Sequence, residues 1–499
     1  MLTAYRIKLL SSIVAGASLP LAYSPFGLFW IAPLSYAALF YLWGGATPRR
    51  AFLLGFAYGA SSFLVGMYWI YISIHDFGLV PASLAVALTG GLVAILALFV
   101  GAAGWAAARW FPTTGPFAWF GVLPALFVLT EWCRGWMFTG FGWLSAGYSQ
   151  TDSWLMGYAP VLGLHGMSWA VMLSAGALVA LLAGASRTRA RALALLTVLW
   201  GSGWVLTDVR WTEPNGRLLN VALVQGAVPQ DLKWRPEQLR PTLDLYRRLT
   251  LESRGSQLIV WPEAAIPAVY GNVAAELDAL RSEVEQFGAA VMFGILRRDD
   301  VTGTFQNALM TLTDPPSVYV KRHLVPFGEY FPVPDFVRNW MRLMSLPYVD
   351  AAPGDALQPP LELVGERIAV TICYEDVFGA EQLHYLPEAT VLVNVSNDAW
   401  FGDSIAPHQH LQIARLRAAE AGRYLLRSTN TGVSAIIDPS GRVTARLPQF
   451  EPAVLADTVQ AFTGSTPYSR WANFPVILGV ILTLLTQLAT TKFTMRRGT

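Results

Sequence analysis

Long apolar runs fill the first 208 residues of the chain and constrain its fold more than any other feature. Most of them approach the roughly 17–25 residues that an α-helix needs to cross the hydrocarbon of a bilayer. Only 14% of all residues are charged, against about 25% in ordinary soluble proteins. The sequence therefore predicts a bundle of membrane-spanning helices. The candidate spans lie near residues 9–24, 27–44, 52–73, 83–109, 116–133, 159–184, 191–208 and 473–491.

Basic residues fall on alternate sides of these spans and predict their orientation. If there are eight spans, all of the basic clusters can face the cytoplasm, as the positive-inside rule requires. The region from about Arg210 to Arg470 then lies outside the cytoplasm. The first run, which follows two basic residues, also resembles a secretory signal peptide, but further spans follow at once, which favours a retained helix. The clusters are Arg6 with Lys8, Arg49 with Arg50, Arg109, Arg187 with Arg189 and Arg191, and Lys492 with Arg496 and Arg497.

One connection between spans is unusually aromatic, reading EWCRGWMFTGFGWLSAGYSQTDSWLMGY over residues 131–158. Tryptophan and tyrosine concentrate at the membrane–water interface. One interpretation is therefore an aromatic belt in which Glu131 and Arg134 form a structural ion pair. The alternative is a lip that admits a lipid-like substrate, with Arg134 and Trp143 among the residues that contact it.

After Asp208 the sequence changes to short β-rich runs that alternate with helical stretches. Buried strands that alternate with helices favour an α/β layer architecture. Composition does not choose between parallel and mixed sheets. We predict a hairpin of strands 307–313 and 317–322, and helices over 236–253, 273–287 and 406–421. The other predicted strands are 220–225, 257–263, 289–295, 367–375, 390–396 and 432–438.

Three polar residues of this region each stand where a predicted strand ends: Glu263, Lys321 and Cys373. Each alone has an ordinary explanation, as a solvated carboxylate, an edge-strand lysine or a small buried thiol. Together they are the groups that a cysteine nucleophile needs. A carboxylate can take the thiol proton, and an ammonium favours the thiolate and then the oxyanion.

The chain has two cysteines, so a disulfide framework is excluded. Cys373 would be the only thiol outside the cytoplasm, where an unpaired thiol calls for a reason. His408 and His410 have no third ligand at a familiar spacing, so we expect no metal. There is no glycine-rich phosphate loop, and we expect no cofactor. A net charge of +2 gives no sign of nucleic-acid binding.

Four motifs carry a family resemblance: WPEAAIP (261–267), YVKRHLVPFGEYFP (319–332), ICYED (372–376) and NVSNDAWFG (394–402). They resemble the nitrilase superfamily with its Glu–Lys–Cys triad. With the apolar runs, the whole chain looks like the apolipoprotein N-acyltransferase family, which completes bacterial lipoproteins. The resemblance implies a transmembrane bundle of about eight spans with an αββα sandwich. The implied domains are a seven-span bundle (1–208), a nitrilase-like domain (209–471) and a final helix with a cytoplasmic tail (472–499).

The same resemblance implies roles for individual residues. Three of these motifs also have ordinary explanations: Glu329 in VPFGEY, which the family uses to support the triad, could instead be a buried ion-pair partner, Glu375 could be structural, and NVSNDAWFG could be a turn. The implied roles are Glu263 as general base, Lys321 as electrostatic stabiliser, Cys373 as nucleophile, Glu329, Tyr374 and Glu375 as supporting or oxyanion residues, and Trp234 as part of the substrate region.

The implied reaction moves an acyl chain from a phospholipid to the thiol of Cys373, and then to the α-amino group of an N-terminal diacylglyceryl-cysteine on a lipoprotein. We expect ping-pong kinetics, a monomer, and a place in the bacterial cytoplasmic (inner) membrane with the catalytic domain on the periplasmic side. A membrane-tethered amidase that uses water as acceptor is the first alternative. A transporter or binding protein is the second, although the spans hold few ionisable residues, which transport pathways usually carry.

Overall fold

The computed structural model describes residues 2–299, 301–331 and 351–497 of the chain. Pro332, the last residue of one predicted motif, and the tail residues 498–499 lie outside the described residues. The chain divides into two compact units. The first comprises Met1–Trp211, Asp403–Leu416 and Thr466–Thr499, and the second Thr212–Gly402 and Arg417–Ser465. The predicted domain limits at 208 and 471 stay a prediction.

The first unit is helical. Short 3-10 and π-helical turns join its longer helices, for example Ala118–Val122 and Trp154–Tyr158. Its longer helices are Leu2–Ser18, Ile31–Trp43, Pro48–Gly66, Ala82–Trp110, Leu123–Arg134, Ala159–Ala183, Ser186–Thr207 and Phe474–Arg497, with the first part of Ala406–Ala421.

Three helical segments of the described chain are long and apolar enough to cross a membrane: Ala82–Trp110, Trp154–Ala183 and Ser186–Thr207. A fourth is added if Pro48–Gly66 and Trp69–Phe77, which meet at a 55° bend, form one broken span. The prediction of membrane-spanning helices is thus confirmed in part, and the count of eight is not confirmed. Several other helices are shorter than predicted, for a physical reason: π-helical and 3-10 turns interrupt the apolar runs, so Leu123–Arg134 keeps 12 residues.

Glycines allow two of these helices to pack with their backbones close together. A Cβ atom on Gly55 of Pro48–Gly66 would lie 2.6 Å from the carbonyl oxygen of Val100. One on Gly104 would lie 2.7 Å from the carbonyl oxygen of Ala51. Small residues at such interfaces let apolar helices approach closely where lipid offers no hydrophobic driving force between them.

The second unit is built on two β-sheets. Their strands, numbered in chain order, are β1 Thr212–Gln225, β2 Leu258–Val260, β3 Ile266–Val269, β4 Ala290–Arg298, β5 Phe305–Thr311, β6 Val318–Val320, β7 Leu361–Leu363, β8 Glu366–Ile372, β9 Val391–Ser396, β10 Leu425–Thr429, β11 Ala435–Ile437, β12 Val443–Arg446 and β13 Ala453–Gly464.

Both sheets are mixed. The first has the order β13-β1-β2-β4-β5-β6, with β3 also paired to β4, and the second has the order β12-β11-β10-β9-β8-β7. Parallel pairs form the centre of each, β1-β2-β4 in the first and β8-β9-β10 in the second. β3 also pairs with β4 in parallel, and the other flanking pairs are antiparallel, including the predicted hairpin of β5 and β6. The carboxyl ends of the central strands β2, β8 and β9 are therefore where polar side chains can meet.

Each sheet buries one face against the other. The hydroxyl of Ser428 on β10 lies 3.1 Å from the carbonyl oxygens of both Val224 and Val260 in the first sheet. Helices Leu239–Glu252 and Ala274–Glu285 cover the outer face of the first sheet, and their apolar side chains share one core with it. The nitrilase-like sheets of the predicted fold are confirmed.

Candidate active site

Glu263 lies in the loop after β2, and a tight backbone contact fixes it there. The next residue, Ala264, has φ +45°, a left-handed conformation that costs energy for any residue with a side chain. Gly294 on β4 packs against this loop so closely that a Cβ atom would lie 2.3 Å from the carbonyl oxygen of Pro262. The loop thus turns a buried carboxylate, 6% exposed, into the interior of the unit.

Three donors hold the carboxylate of Glu263. Its Oε1 accepts hydrogen bonds from Nδ2 of Asn307 at 2.7 Å and from Nζ of Lys321 at 3.1 Å. Its Oε2 accepts one from the backbone N–H of Asn397 at 2.8 Å. Such an arrangement orients an ionised carboxylate and stabilises its charge.

Lys321 follows β6 directly and is 1% exposed. Its ammonium lies between two carboxylates, donating to Oε1 of Glu263 and, at 2.9 Å, to Oε1 of Glu329. Oε2 of Glu329 accepts in turn from the backbone N–H of Val325 at 2.7 Å. Glu329 therefore has the contacts of an ion-pair partner, one of the two roles predicted for it.

The charges of these groups support one another. Burial alone would raise the pKa of Glu263, but the charge of Lys321 and the hydrogen bond from Asn307 lower it below its usual value. Burial alone would lower the pKa of Lys321, but the charges of Glu263 and Glu329 raise it well above its usual value. At neutral pH the carboxylate of Glu263 is thus ionised and Lys321 is an ammonium.

Cys373 comes directly after β8 and begins the 3-10 helix Cys373–Val377. Its φ of +52° turns the chain sharply at this point, as strained residues at functional sites often do. Burial raises the pKa of its thiol, and the carboxylate of Glu263 raises it further, whereas the charge of Lys321 lowers it. The three residues predicted from strand ends are thus brought together, and at rest the thiol is protonated beside a carboxylate.

Glu375, two residues after the cysteine, braces the backbone around it. Its Oε2 accepts from the backbone N–H of Ile372 at 2.7 Å, and its Oε1 from the backbone N–H groups of Arg322 and His323 at 2.8 and 3.2 Å. Both oxygens also accept from the hydroxyl of Tyr319. These contacts tie the strand end of Cys373 to the segment after Lys321 and correspond to the structural role.

Behind the cysteine lies a buried ionic network that the sequence analysis missed. Arg427, in the middle of β10, donates to Oδ2 of Asp398 at 2.9 Å and to Oδ2 of Asp376 at 3.4 Å. It also donates to Oδ1 of Asn394. Oδ1 of Asp398 accepts from Ser396 at 2.9 Å, and Ser396 forms a hydrogen bond with the thiol. A signal was present: an arginine within LLRST, between apolar strands, needs buried partners.

The remaining predicted residues lie in different surroundings. Tyr374 is buried, with its ring against Phe378. Trp234 ends the short helix Gln230–Lys233 of the second unit and is 46% exposed, so its indole is available to a ligand. Among the described residues, no group of three or more histidine, cysteine, aspartate or glutamate side chains could hold a metal ion.

Arg134 and Trp143 belong to the first unit, and both are buried. Arg134 donates to the carbonyl oxygens of Phe141 and Trp143, both at 2.7 Å. Glu131 accepts from the backbone N–H of Ala146 at 2.8 Å. Within the described chain, the two charged residues form no direct ion pair; each secures the aromatic connection separately. Their part in substrate binding stays a prediction.

These features define a class of protein. A thiol at a sharp strand-to-helix turn, with a buried carboxylate and ammonium between two mixed sheets, is an arrangement suited to nucleophilic chemistry at sulfur. The carbon-nitrogen hydrolase family model matches residues 220–468, and the apolipoprotein N-acyltransferase N-terminal domain model matches residues 15–177.

Curated relatives extend this match along nearly the whole chain. Each of three is named apolipoprotein N-acyltransferase. The protein from Methylococcus capsulatus is 44% identical over 94% of this chain and 93% of its own. The protein from Chromobacterium violaceum is 43% identical over 95% of this chain and 92% of its own. The protein from Nitrosomonas europaea is 42% identical over 95% of this chain and 96% of its own. The chain belongs to the apolipoprotein N-acyltransferase family and is an acyltransferase.

Proposed function

We propose that this enzyme transfers an acyl chain from a phospholipid, through a thioester on Cys373, to the α-amino group of an N-terminal diacylglyceryl-cysteine. The observation that carries the proposal is the buried pair of Glu263 and Lys321, 3.1 Å apart, whose charges both act on the thiol. The names of the relatives supply the acceptor class, a lipoprotein N-terminus.

In the first half-reaction Cys373 attacks the ester carbonyl of the phospholipid. Because burial and Glu263 hold the thiol protonated at rest, the proton passes to Glu263 as the carbon–sulfur bond forms. The tetrahedral intermediate then collapses, the ester carbon–oxygen bond breaks, and Glu263 returns the proton to the glycerol oxygen. A thioester remains on the enzyme, and a lysophospholipid leaves.

In the second half-reaction the neutral α-amino group of the acceptor attacks the thioester carbonyl. Glu263 takes a proton from the nitrogen as the carbon–nitrogen bond forms. The carbon–sulfur bond breaks, and the proton passes to the sulfur, which restores the thiol. Since each substrate reacts with a different form of the enzyme, the kinetics are ping-pong.

Lys321 and the backbone N–H of Tyr374 stabilise the oxyanion in both steps. Lys321 has a charge fixed by Glu263 and Glu329 before the substrate arrives, so little reorganisation is needed when the oxyanion forms. One such donor typically lowers the barrier by about 3–4 kcal/mol. We assign Trp234, whose indole is partly exposed, to the substrate region.

The topology that we propose for this activity has eight spans, a catalytic domain over 209–471 and a monomeric enzyme. The alternating basic clusters support an orientation with that domain on the periplasmic side of the bacterial cytoplasmic membrane. Both substrates have acyl chains, each CH₂ of which favours hydrocarbon over water by about 0.8 kcal/mol. The membrane helices of the enzyme therefore serve to take up both substrates from the lipid.

Intact-protein mass spectrometry after incubation with phosphatidylethanolamine tests the proposal. We expect one added acyl mass, mapped to Cys373, that a diacylated lipopeptide removes to give a triacylated product. The Cys373→Ala variant should gain no mass. An acyl-enzyme that releases only free fatty acid to water would favour a membrane-tethered amidase, and no added mass on the wild-type protein would overturn the proposal.

A further inference from the structure

Lys233 is a buried cation of the second unit to which the mechanism above gives no role. It is the last residue of the short helix Gln230–Lys233, and it is 1% exposed. Its Nζ donates to the backbone carbonyl oxygen of Glu263 at 3.4 Å. Burying an ammonium is costly unless charges or hydrogen bonds compensate it, so its place beside the proposed base calls for an explanation.

The same short helix also reaches the carboxylate end of Glu263. Oε1 of Gln230, three residues before Lys233, accepts from Nδ2 of Asn397 at 3.0 Å. The backbone N–H of Asn397 donates to Oε2 of Glu263 at 2.8 Å. One turn of helix therefore acts on the main chain of Glu263 directly and on its carboxylate through Asn397.

Asn430 fixes this turn at its start. Its side chain forms two hydrogen bonds with the backbone of Val228, accepting from the N–H at 3.0 Å and donating to the carbonyl oxygen at 2.8 Å. It also donates to Oδ1 of Asn397 at 3.1 Å. The turn and Asn397 are thus anchored to a common side chain, so Lys233 is held at a defined distance from Glu263.

Lys233 and Glu263 also change each other's pKa through their charges. Burial lowers the pKa of Lys233, and the charge of Glu263, the titratable group that acts on it, raises it; the net pKa of Lys233 is about 8. Reciprocally, the charge of Lys233 lowers the pKa of Glu263, together with the stronger effect of Lys321. An ammonium at this point favours the ionised base.

We propose that Lys233 is a positioning residue for Glu263: it holds the main chain of the base in place and keeps its carboxylate ionised. The inference rests on the proposed function, since it assumes that Glu263 accepts the thiol proton. It assigns the positive charge of Lys233, next to Trp234, to the base and not to the substrate, so Lys233 acts through Glu263 without touching the acyl chain.

The test measures the rate of Cys373 acylation by phospholipid as a function of pH, in the full-length protein. Lys233→Met should lower the rate roughly 10–100-fold, the range expected for one hydrogen bond to a charged group. The acid limb of the pH profile is the part in which the rate rises as Glu263 ionises. In Lys233→Met this limb should move to higher pH, because Glu263 loses a neighbouring cation. The wild-type rate should also decline as pH rises through about 8, where Lys233 loses its proton, and Lys233→Met should lack this step.

Two further variants separate positioning from folding. Lys233→Arg keeps the charge, so it should keep the acid limb at the wild-type pH. Arg240→Met removes an exposed cation paired with Asp244 on the neighbouring helix and should match the wild type throughout. The inference would be overturned if Lys233→Met acylated Cys373 at the wild-type rate. It would also be overturned if Lys233→Met and Lys233→Arg lowered this rate equally and neither shifted its pH profile. Failure of the wild-type protein to form an acyl-enzyme would instead overturn the proposed function.

Discussion

Nδ2 of Asn307 lies 2.7 Å from Oε1 of Glu263 and 3.2 Å from Oε1 of Glu329. The amide thus joins the two carboxylates that flank the ammonium of Lys321. In the described part of the chain Oε1 of Glu263 has two donors and Oε2 has one, the backbone N–H of Asn397. Oε2 is therefore the oxygen with more capacity left to accept a proton from the thiol.

Replacing Asn307 should disable the base without removing any charged member of the site. In Asn307→Asp a third carboxylate would replace the donor, which raises the pKa of Glu263 and leaves Lys321 to compensate three negative charges. We expect Cys373 acylation to fall about 100-fold or more, since hydrogen bonds to charged groups contribute about 1.5–3 kcal/mol. Single-turnover acylation followed by mass spectrometry measures the effect.

The matched control is Asn272→Asp, an exposed asparagine of the same unit, which should acylate at the wild-type rate. Asn307→Ala, which only deletes the donor, should lie between the wild type and Asn307→Asp. An Asn307→Asp variant as active as the control would show that the amide does not set the state of the base.

The sequence predicted this fold where local pattern and tertiary role agree. The hairpin of β5 and β6 and the helix Ala406–Ala421 were predicted closely, because apolar periodicity and the Asp314-Pro315-Pro316 turn indicate them locally. β10 was missed, because Arg427 interrupts its apolar run. The partners that allow this arginine to be buried in a strand, Asp376 and Asp398, are distant in sequence.

The sequence indicated the three central residues of the candidate site, but not the residues that hold them in place. Strand ends and motifs pointed to Glu263, Lys321 and Cys373. The residues that hold them are ordinary polar residues whose importance appears only through contacts between elements far apart in the chain, as with Asn307 and Asn397. Span number was harder, because π-helical breaks inside apolar runs leave little trace in hydropathy.

The ionisation of Cys373 should respond in opposite directions to its two neighbours. Removing the negative charge in Glu263→Gln should lower the pKa of the thiol, and removing the positive charge in Lys321→Met should raise it, because these charges act on it with opposite signs. The pH dependence of iodoacetamide alkylation reports both shifts. In Glu263→Gln alkylation should begin at lower pH although acylation is lost.

The measurement uses a Cys133→Ala background, so that Cys373 is the only thiol. In the otherwise unchanged protein, alkylation should be slow at neutral pH, because burial and Glu263 both raise the pKa of Cys373. If both substitutions shifted the alkylation midpoint in the same direction, the two charges would not act on the thiol as described.

Arg427 should be a requirement for stability more than for chemistry. Arg427→Met leaves the carboxylates of Asp376 and Asp398 buried without their cation. Breaking a buried ion pair in this way typically costs about 3–5 kcal/mol. The midpoint of thermal unfolding in detergent should fall well below that of Arg442→Met, which removes a largely exposed arginine from an ion pair with Asp438. Equal midpoints would contradict the assigned role of Arg427.

Gly294→Ala should displace the base without touching any reacting group. The added Cβ atom would lie 2.3 Å from the carbonyl oxygen of Pro262 and 2.7 Å from Cα of Glu263, so the loop must shift. A displacement of about 1 Å in a catalytic group can cost about 100-fold in rate, and we expect that loss in Cys373 acylation. Gly271→Ala is the control, because open space surrounds a Cβ atom there. If both variants acylate equally fast, the loop of Glu263 tolerates movement, and the precise placement of the carboxylate is not what limits the rate.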